Sequence, residues 1–250
     1  MNDLLFHKPC ISCPDCIANG FFWDKYLSGL SSDSELLSAY YSHDIDIECL
    51  LKEDKLCVMN SNQGALILTA ALQKYTINQI IDIIQSNNYF LPISATNIPQ
   101  FSSVDNCIFK VGEILHGSML KSMTYAEMGK YLRKGVGYKK LGADTKYGEN
   151  HSKMAALIDL CDIKKKSCDI SCSSLGLVLL NYNQDVRIRI ATKLFLKIPI
   201  IQKYFVYCYD EKQLLDMLLT VLSESTAKRR FPNVKRVILM INKQRDDEIF

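Results

Sequence analysis

No run of apolar residues in this chain is long enough to cross a bilayer. The longest, around 65–69 and 175–180, fall far short of the roughly 20 that a spanning helix needs. A membrane partner is therefore not expected. The N-terminus lacks a basic stretch followed by an apolar segment and a small-residue cleavage site, so no secretory signal is read there. Without that signal the ten cysteines are expected to be reduced thiols or metal ligands in a cytoplasmic protein, not a disulfide framework. Cys107, Cys161 and Cys208 sit among apolar neighbours and are expected to be buried. There is no internal repeat and no low-complexity tract. Positive charge is scarce in one half only. Residues 1–120 hold 6 Lys+Arg against 13 Asp+Glu, a balance of −7, whereas 121–250 hold 24 against 14, a balance of +10. A concentrated positive field attracts polyanions, because each neutralised phosphate releases condensed counterions. The ordinary alternative is that surface lysines only keep a helical domain soluble.

What is present is 250 residues with 48% apolar content, enough for one large domain or two of ordinary size. Two prolines and polar turn formers in 91–99 mark a boundary close to where the charge changes sign, giving domains 1–96 and 97–250. The first reads as a small α+β domain. Loose alternation over 45–51, a polar turn at 52–55 and apolar 56–59 predict a hairpin, followed by helices at 64–74 and 76–86, the latter with Thr76 as N-cap. The rest is mainly α. Val104, Ile108, Val111 and Leu115 recur at helical spacing, and Gly117 ends that helix. Thr124 and Glu127 form a capping box opening a second helix, which runs to about residue 133. A loop with Gly135, Gly137, Gly142 and Gly148 leads to a third helix at 149–159. Two short strands around a basic turn then occupy 162–170. Further helices are expected at 174–180, 185–204, 211–222 and 225–243, as a C-terminal helical bundle.

Three helices and a two-stranded ribbon are the order of elements in a winged helix-turn-helix domain. From Asn97 onwards the chain resembles a winged-helix-type module of bacterial type II restriction endonucleases and related restriction-system proteins. The pieces that carry the resemblance are Thr124 with Glu127, the helix exit at 156–160, and Ser173-Ser174-Leu175-Gly176. A helix from Arg187 to Pro199-Ile200-Ile201 and the closing segment Ser223 to Arg230, continued by 234–241, complete the set. Two departures stand out: a longer glycine-containing turn before the third helix, and apolar residues where the closing helix of the family often has tryptophan. The resemblance implies a double-stranded DNA-binding protein, acting as an Mg²⁺-dependent endonuclease or as a non-catalytic recognition component. A cognate DNA methyltransferase would be its partner, and palindromic targets would favour a homodimer. A protein-interaction scaffold, with its basic face incidental, is the alternative.

If the third helix enters a major groove, its first turns present Asn150, His151, Ser152 and Lys153 to base edges. Phosphate contacts would come from Lys139, Lys140 and Lys146 before that helix and from Lys164, Lys165 and Lys166 in the ribbon turn. Lys228, Arg229 and Arg230, with Lys235 and Arg236, form the densest basic cluster. It serves equally well as a phosphate site or as internal pairing for a helical bundle. His151-Ser152-Lys153 imitates the start of a phospholipase-D-type nuclease motif, but Ile158 stands where that motif needs aspartate, and there is no second copy.

A nuclease centre would need carboxylates with a nearby lysine to hold Mg²⁺ and activate water. Asp44, Asp46, Glu53 and Lys55 supply that set, although charged hairpin turns of this composition are common. Near the N-terminus, His7, Cys10, Cys13 and Cys16 have a spacing that lets thiolates converge on one ion. A structural Zn²⁺ would take His7 or a hairpin cysteine (Cys49 or Cys57) as its fourth ligand. Gly20 stands where an iron–sulfur run would carry its fourth cysteine.

Overall fold

Helices account for nearly all regular structure in the computed structural model, which describes residues 25–43, 61–87, 90–118, 122–134, 142–164 and 167–249. The chain divides into two compact units, Met1–Tyr89 and Phe90–Phe250. Residues 91–96, expected to close the first domain, thus belong to the second unit. Arg230 donates there to the carbonyls of Ala95 (2.6 Å) and Ile98 (3.5 Å).

In the first unit, α1 (Asp33–Tyr41) opens with a reciprocal cap. Ser32 Oγ accepts from the Glu35 N–H, and the Glu35 carboxylate accepts from the Ser32 N–H at 2.7 Å. Helix α2 (Ser61–Lys74) begins a few residues before the glycine taken as its start. Helix α3 (Ile77–Asn87) is capped as expected: Thr76 Oγ1 accepts from the Gln79 N–H at 3.2 Å, and Gln79 Oε1 accepts from the Thr76 N–H at 2.8 Å. Leu36, Leu37, Leu68, Leu72 and Ile80 are fully buried. Asn87 ties α3 to α1, accepting from Ser38 Oγ (2.6 Å) and donating to Ser42 Oγ (2.9 Å). The hairpin expected at 45–59 lies outside the described residues.

The second unit begins with an irregular strap, 90–103, that contains a 3-10 turn (Ala95–Asn97). A helix follows over 104–117 as expected, with a π-turn at Asn106–Lys110 leading into α4 (Val111–Gly117). The guanidinium of Arg187 lies 4.7 Å from the Phe109 ring and donates to the Glu113 carboxylate at 3.1 Å. Helix α5 (Tyr125–Leu132) carries the capping box of Thr124 and Glu127. The third helix, α6 (Ala143–Leu157), starts well before residue 149, directly after Gly142, whose φ of 75° is left-handed. Gly148 is therefore a helical residue and not part of the loop. Strands β1 (Cys161–Ile163) and β2 (Ile170–Cys172) pair antiparallel, with Cys161 opposite Cys172. Met123 extends the ribbon by one bridge to Ile170, exchanging backbone hydrogen bonds of 3.0 and 2.8 Å.

Ser173 caps α7 (Ser174–Leu179) through the Gly176 N–H. The continuous helix expected over 185–204 is broken into α8 (Gln184–Leu194), a 3-10 turn (Phe195–Lys197) and α9 (Pro199–Val206). Pro199 has no N–H to give and pushes Ile198 to an extended ψ of 122°, so the helix restarts with proline in its first position. Helices α10 (Glu211–Leu219) and α11 (Glu224–Asp247) complete the chain. Helix α11 packs on α8, α9 and α10, burying Leu194, Ile201, Leu214, Val234, Val237 and Ile241. Cys107 and Cys161 are buried as expected, whereas Cys208 is exposed at a left-handed φ of 51°.

Candidate nucleic-acid interface

Two glycines set the position of α6. A Cβ on Gly148 would lie 2.0 Å from the Tyr125 carbonyl oxygen, and one on Gly129 would lie 1.7 Å from that of Asp144. Helices α5 and α6 therefore cross backbone against backbone, which no larger residue allows. Arg133, the C-cap of α5, fixes the same crossing by pairing with Asp144 at 3.4 Å. With Gly148, His151, Ser152 and Ala155 turned into the core, residues 146, 150, 153 and 157 recur at helical spacing on the opposite side.

This orientation corrects part of the expected base-reading set. His151 is 1% exposed and Ser152 fully buried, so neither reaches a DNA groove. The His151 ring braces the strap instead. Nδ1 donates to the Tyr147 carbonyl at 2.8 Å, while Nε2 accepts from the Ser102 and Ser103 N–H groups at 3.4 and 3.3 Å. A carbonyl can only accept and a backbone N–H can only donate, so these partners select the neutral Nδ1–H tautomer. Burial lowers the pKa of the ring, opposed in part by the Tyr147 bond. Asn150 and Lys153 remain on the outer face.

The cations of that face are mostly exposed. Lys146 and Lys153 both reach Glu149, at 2.8 and 2.7 Å, and those bonds hold its carboxyl below the usual carboxylate range. The triad keeps one net positive charge. Lys164 is exposed at the start of the ribbon turn, which closes through Cys168 N–H to Lys164 O at 2.8 Å. Lys139, Lys140, Lys165 and Lys166 lie outside the described residues. The dense cluster of α11 is largely engaged inside the unit. Lys228 pairs with Glu224 at 2.5 Å, Lys235 pairs with Glu211 of α10 at 2.7 Å, and Arg230 holds the strap. Arg236 donates to the Ser102 carbonyl at 3.2 Å. Arg229 is exposed.

Two adjoining cavities lie along the outer face of α6. The larger, about 840 Å³, has Ile98, Met154, Leu157 and Ile163 among its lining, with Lys146, Lys153 and Lys164 also bordering it. The smaller, about 320 Å³, is bordered by Gln100, Ser102, Asn150, Arg229 and Asn233. Gln100, Asn150 and Arg230 border both. Tyr125 also lines the larger cavity, and burial pushes its phenol up to about 12, so it remains a hydrogen-bond donor at neutral pH. Sequence reasoning missed Gln100, Tyr125 and Asn233. They come from three separate segments, and only tertiary packing brings them together.

The expected metal-binding and catalytic residues (His7, Cys10, Cys13 and Cys16; Asp44, Asp46, Glu53 and Lys55) all lie outside the described residues. Among the described residues no group of three or more His, Cys, Asp or Glu side chains is placed to hold a metal ion. None of the described helices is long and apolar enough to cross a membrane. No protein-family model, curated protein or solved structure matches the chain.

Proposed function

We propose that the second unit is a winged helix-turn-helix that binds double-stranded DNA, with α6 as its recognition helix and the β1–β2 ribbon as its wing. The observation that carries this is the outer face of α6, where Lys146, Asn150 and Lys153 line up beside Lys164 of the ribbon. Lysines suit phosphate, and an asparagine amide can bond adenine in two places. The order of elements supports the assignment: helix 104–117, a bridging residue, α5, α6, then two antiparallel strands. Internal pairing of the α11 cations narrows the phosphate-contacting set to α6, the wing and Arg229.

The test is fluorescence anisotropy with a mixed-sequence duplex across a salt series. Affinity should fall steeply with salt, and Lys153→Ala or Lys164→Ala should each lower the log–log slope by about one. Salt-insensitive binding, or none, would refute the assignment and leave the protein-interaction scaffold. A role in a restriction system rests on the family resemblance from Asn97 onwards, as an endonuclease or as a non-catalytic component. Incubation with phage DNA and Mg²⁺ separates these two, since only an endonuclease gives discrete fragments.

A further inference from the structure

The cavities along α6 are larger and more apolar than duplex readout requires. A paired base shows a protein only its edge, and a helix that reads edges needs a projecting face with polar side chains. Here the outer face of α6 borders a concavity of about 840 Å³ with Ile98, Met154, Leu157 and Ile163 in its lining. That volume falls in the range of sites that enclose small organic ligands. An intact duplex lying across it would leave those side chains wet.

The polar groups are arranged for an anionic, flat-faced occupant. Glu149 is the one carboxylate bordering either cavity among the described residues, and both Lys146 and Lys153 neutralise it. The smaller cavity has no carboxylate among its described lining and carries Arg229, Arg230, Asn233 and Gln100. Arg230 borders both cavities. Its Nη1 is used on main-chain carbonyls, and its Nε has no acceptor. The amide of Asn150 stands at the junction of the two.

We propose that this joined groove holds one nucleotide drawn out of the stack of bound DNA. Its base lies against Met154, Leu157 and Ile163, with its polar edge at Asn150 and Gln100. Its phosphate sits by Arg229. The proposal rests on the DNA-binding function above and adds that the bound DNA is locally unpaired. Extruding a nucleotide costs least where it is already unpaired. A duplex carrying a single-nucleotide bulge should therefore bind roughly tenfold to a hundredfold more tightly than the fully paired duplex of the same sequence.

The experiment uses the full chain and anisotropy with paired and bulged duplexes, the bulged nucleotide being 2-aminopurine. Tighter binding of the bulge with a rise in 2-aminopurine fluorescence is expected, because the base leaves its stacked neighbours for an aliphatic surface. Ala156→Phe, which adds a ring to the larger cavity, should abolish both effects and keep salt-dependent binding of the paired duplex. Asn150→Ala, which adds no bulk, should weaken the bulge preference, so the test does not depend on one variant folding. Equal affinity for both duplexes without a fluorescence change would overturn the proposal and leave duplex binding standing. Failure to bind either duplex would overturn duplex binding itself. A poly-glutamate peptide that displaces the bulged duplex as well as an oligonucleotide does would assign the groove to an acidic peptide instead, and sink the proposal.

Discussion

Replacing Gly148 by alanine should destabilise the second unit, although alanine is the better helix former. In a helix interior that free of obstruction, the change gains about 1 kcal/mol. At Gly148 the added Cβ would stand 2.0 Å from the Tyr125 carbonyl oxygen and 2.7 Å from the Gly129 nitrogen. Both neighbours are backbone atoms and cannot rotate aside, so α5 and α6 must separate by more than an ångström. Overpacking of a tight core costs about 1–3 kcal/mol, and a backbone obstruction belongs at or above the upper end. After the propensity gain, a net loss of about 2 kcal/mol is expected. Gly112 of α4 is the matched control, because a Cβ there meets nothing closer than Leu180 Cδ2 at 3.7 Å. Gly112→Ala should therefore be neutral or stabilising, opposite in sign to Gly148→Ala. Because the chain forms two units, a global melt would mix their transitions. Hydrogen exchange read by mass spectrometry on peptides from α5 and α6 isolates the relevant opening, and about 2 kcal/mol should speed it roughly thirtyfold. Slower exchange in Gly148→Ala would mean that the two helices do not cross as described.

Acid should loosen the same region. Burial keeps the His151 pKa below its ordinary value, so the unfolded chain takes up the proton more readily. The stabilisation is complete above the ordinary histidine pKa of about 6.5 and is lost as pH falls through it toward the folded value. Urea midpoints read by hydrogen exchange in α6 peptides should drop between pH 7.5 and 5, and His151→Gln should flatten that dependence; an unchanged wild-type midpoint would contradict it. Removing the tethers of the strap by Arg230→Ala or Arg236→Ala should speed limited proteolysis within 95–103, because each arginine donates to a strap carbonyl. Cleavage at the wild-type rate in both variants would show that the strap is held by packing alone.

What was legible in the sequence was local. The reciprocal cap of Thr124 and Glu127 lies within four residues, and that span contains all the chemistry it needs. Thr76 and its Gln79 follow the same rule. The ribbon over 161–172 was readable because short apolar ends flank a basic turn. The start of α6 was misplaced for the opposite reason. Gly148 looks like a loop residue by propensity, and its reason for being glycine is the Tyr125 carbonyl, on a different helix. Polarity alone turns His151 and Ser152 outward with Asn150 and Lys153, but the helix face is set by that crossing. The break at Pro199 was signalled by the proline itself, and the apolar periodicity on both sides of it outweighed that signal.

The distribution of charge shows most clearly how density along the sequence differs from availability in space. The +10 balance of 121–250 peaks in the closing helix, where Lys228, Arg229, Arg230, Lys235 and Arg236 fall within nine positions. Four of these five are engaged. Lys228 and Lys235 meet carboxylates, and Arg230 and Arg236 meet carbonyls more than 130 residues upstream. A guanidinium that already donates to a main-chain carbonyl would have to give up that bond to reach a phosphate. The thinner set on α6 and the β1–β2 ribbon carries no such cost. Lys146 and Lys153 share a single carboxylate partner, which leaves one positive charge over, whereas Lys228 and Lys235 each meet a carboxylate of their own. Binding should accordingly respond more to Lys153 or Lys164 than to Lys228 or Lys235, even though the latter pair lies in the denser cluster.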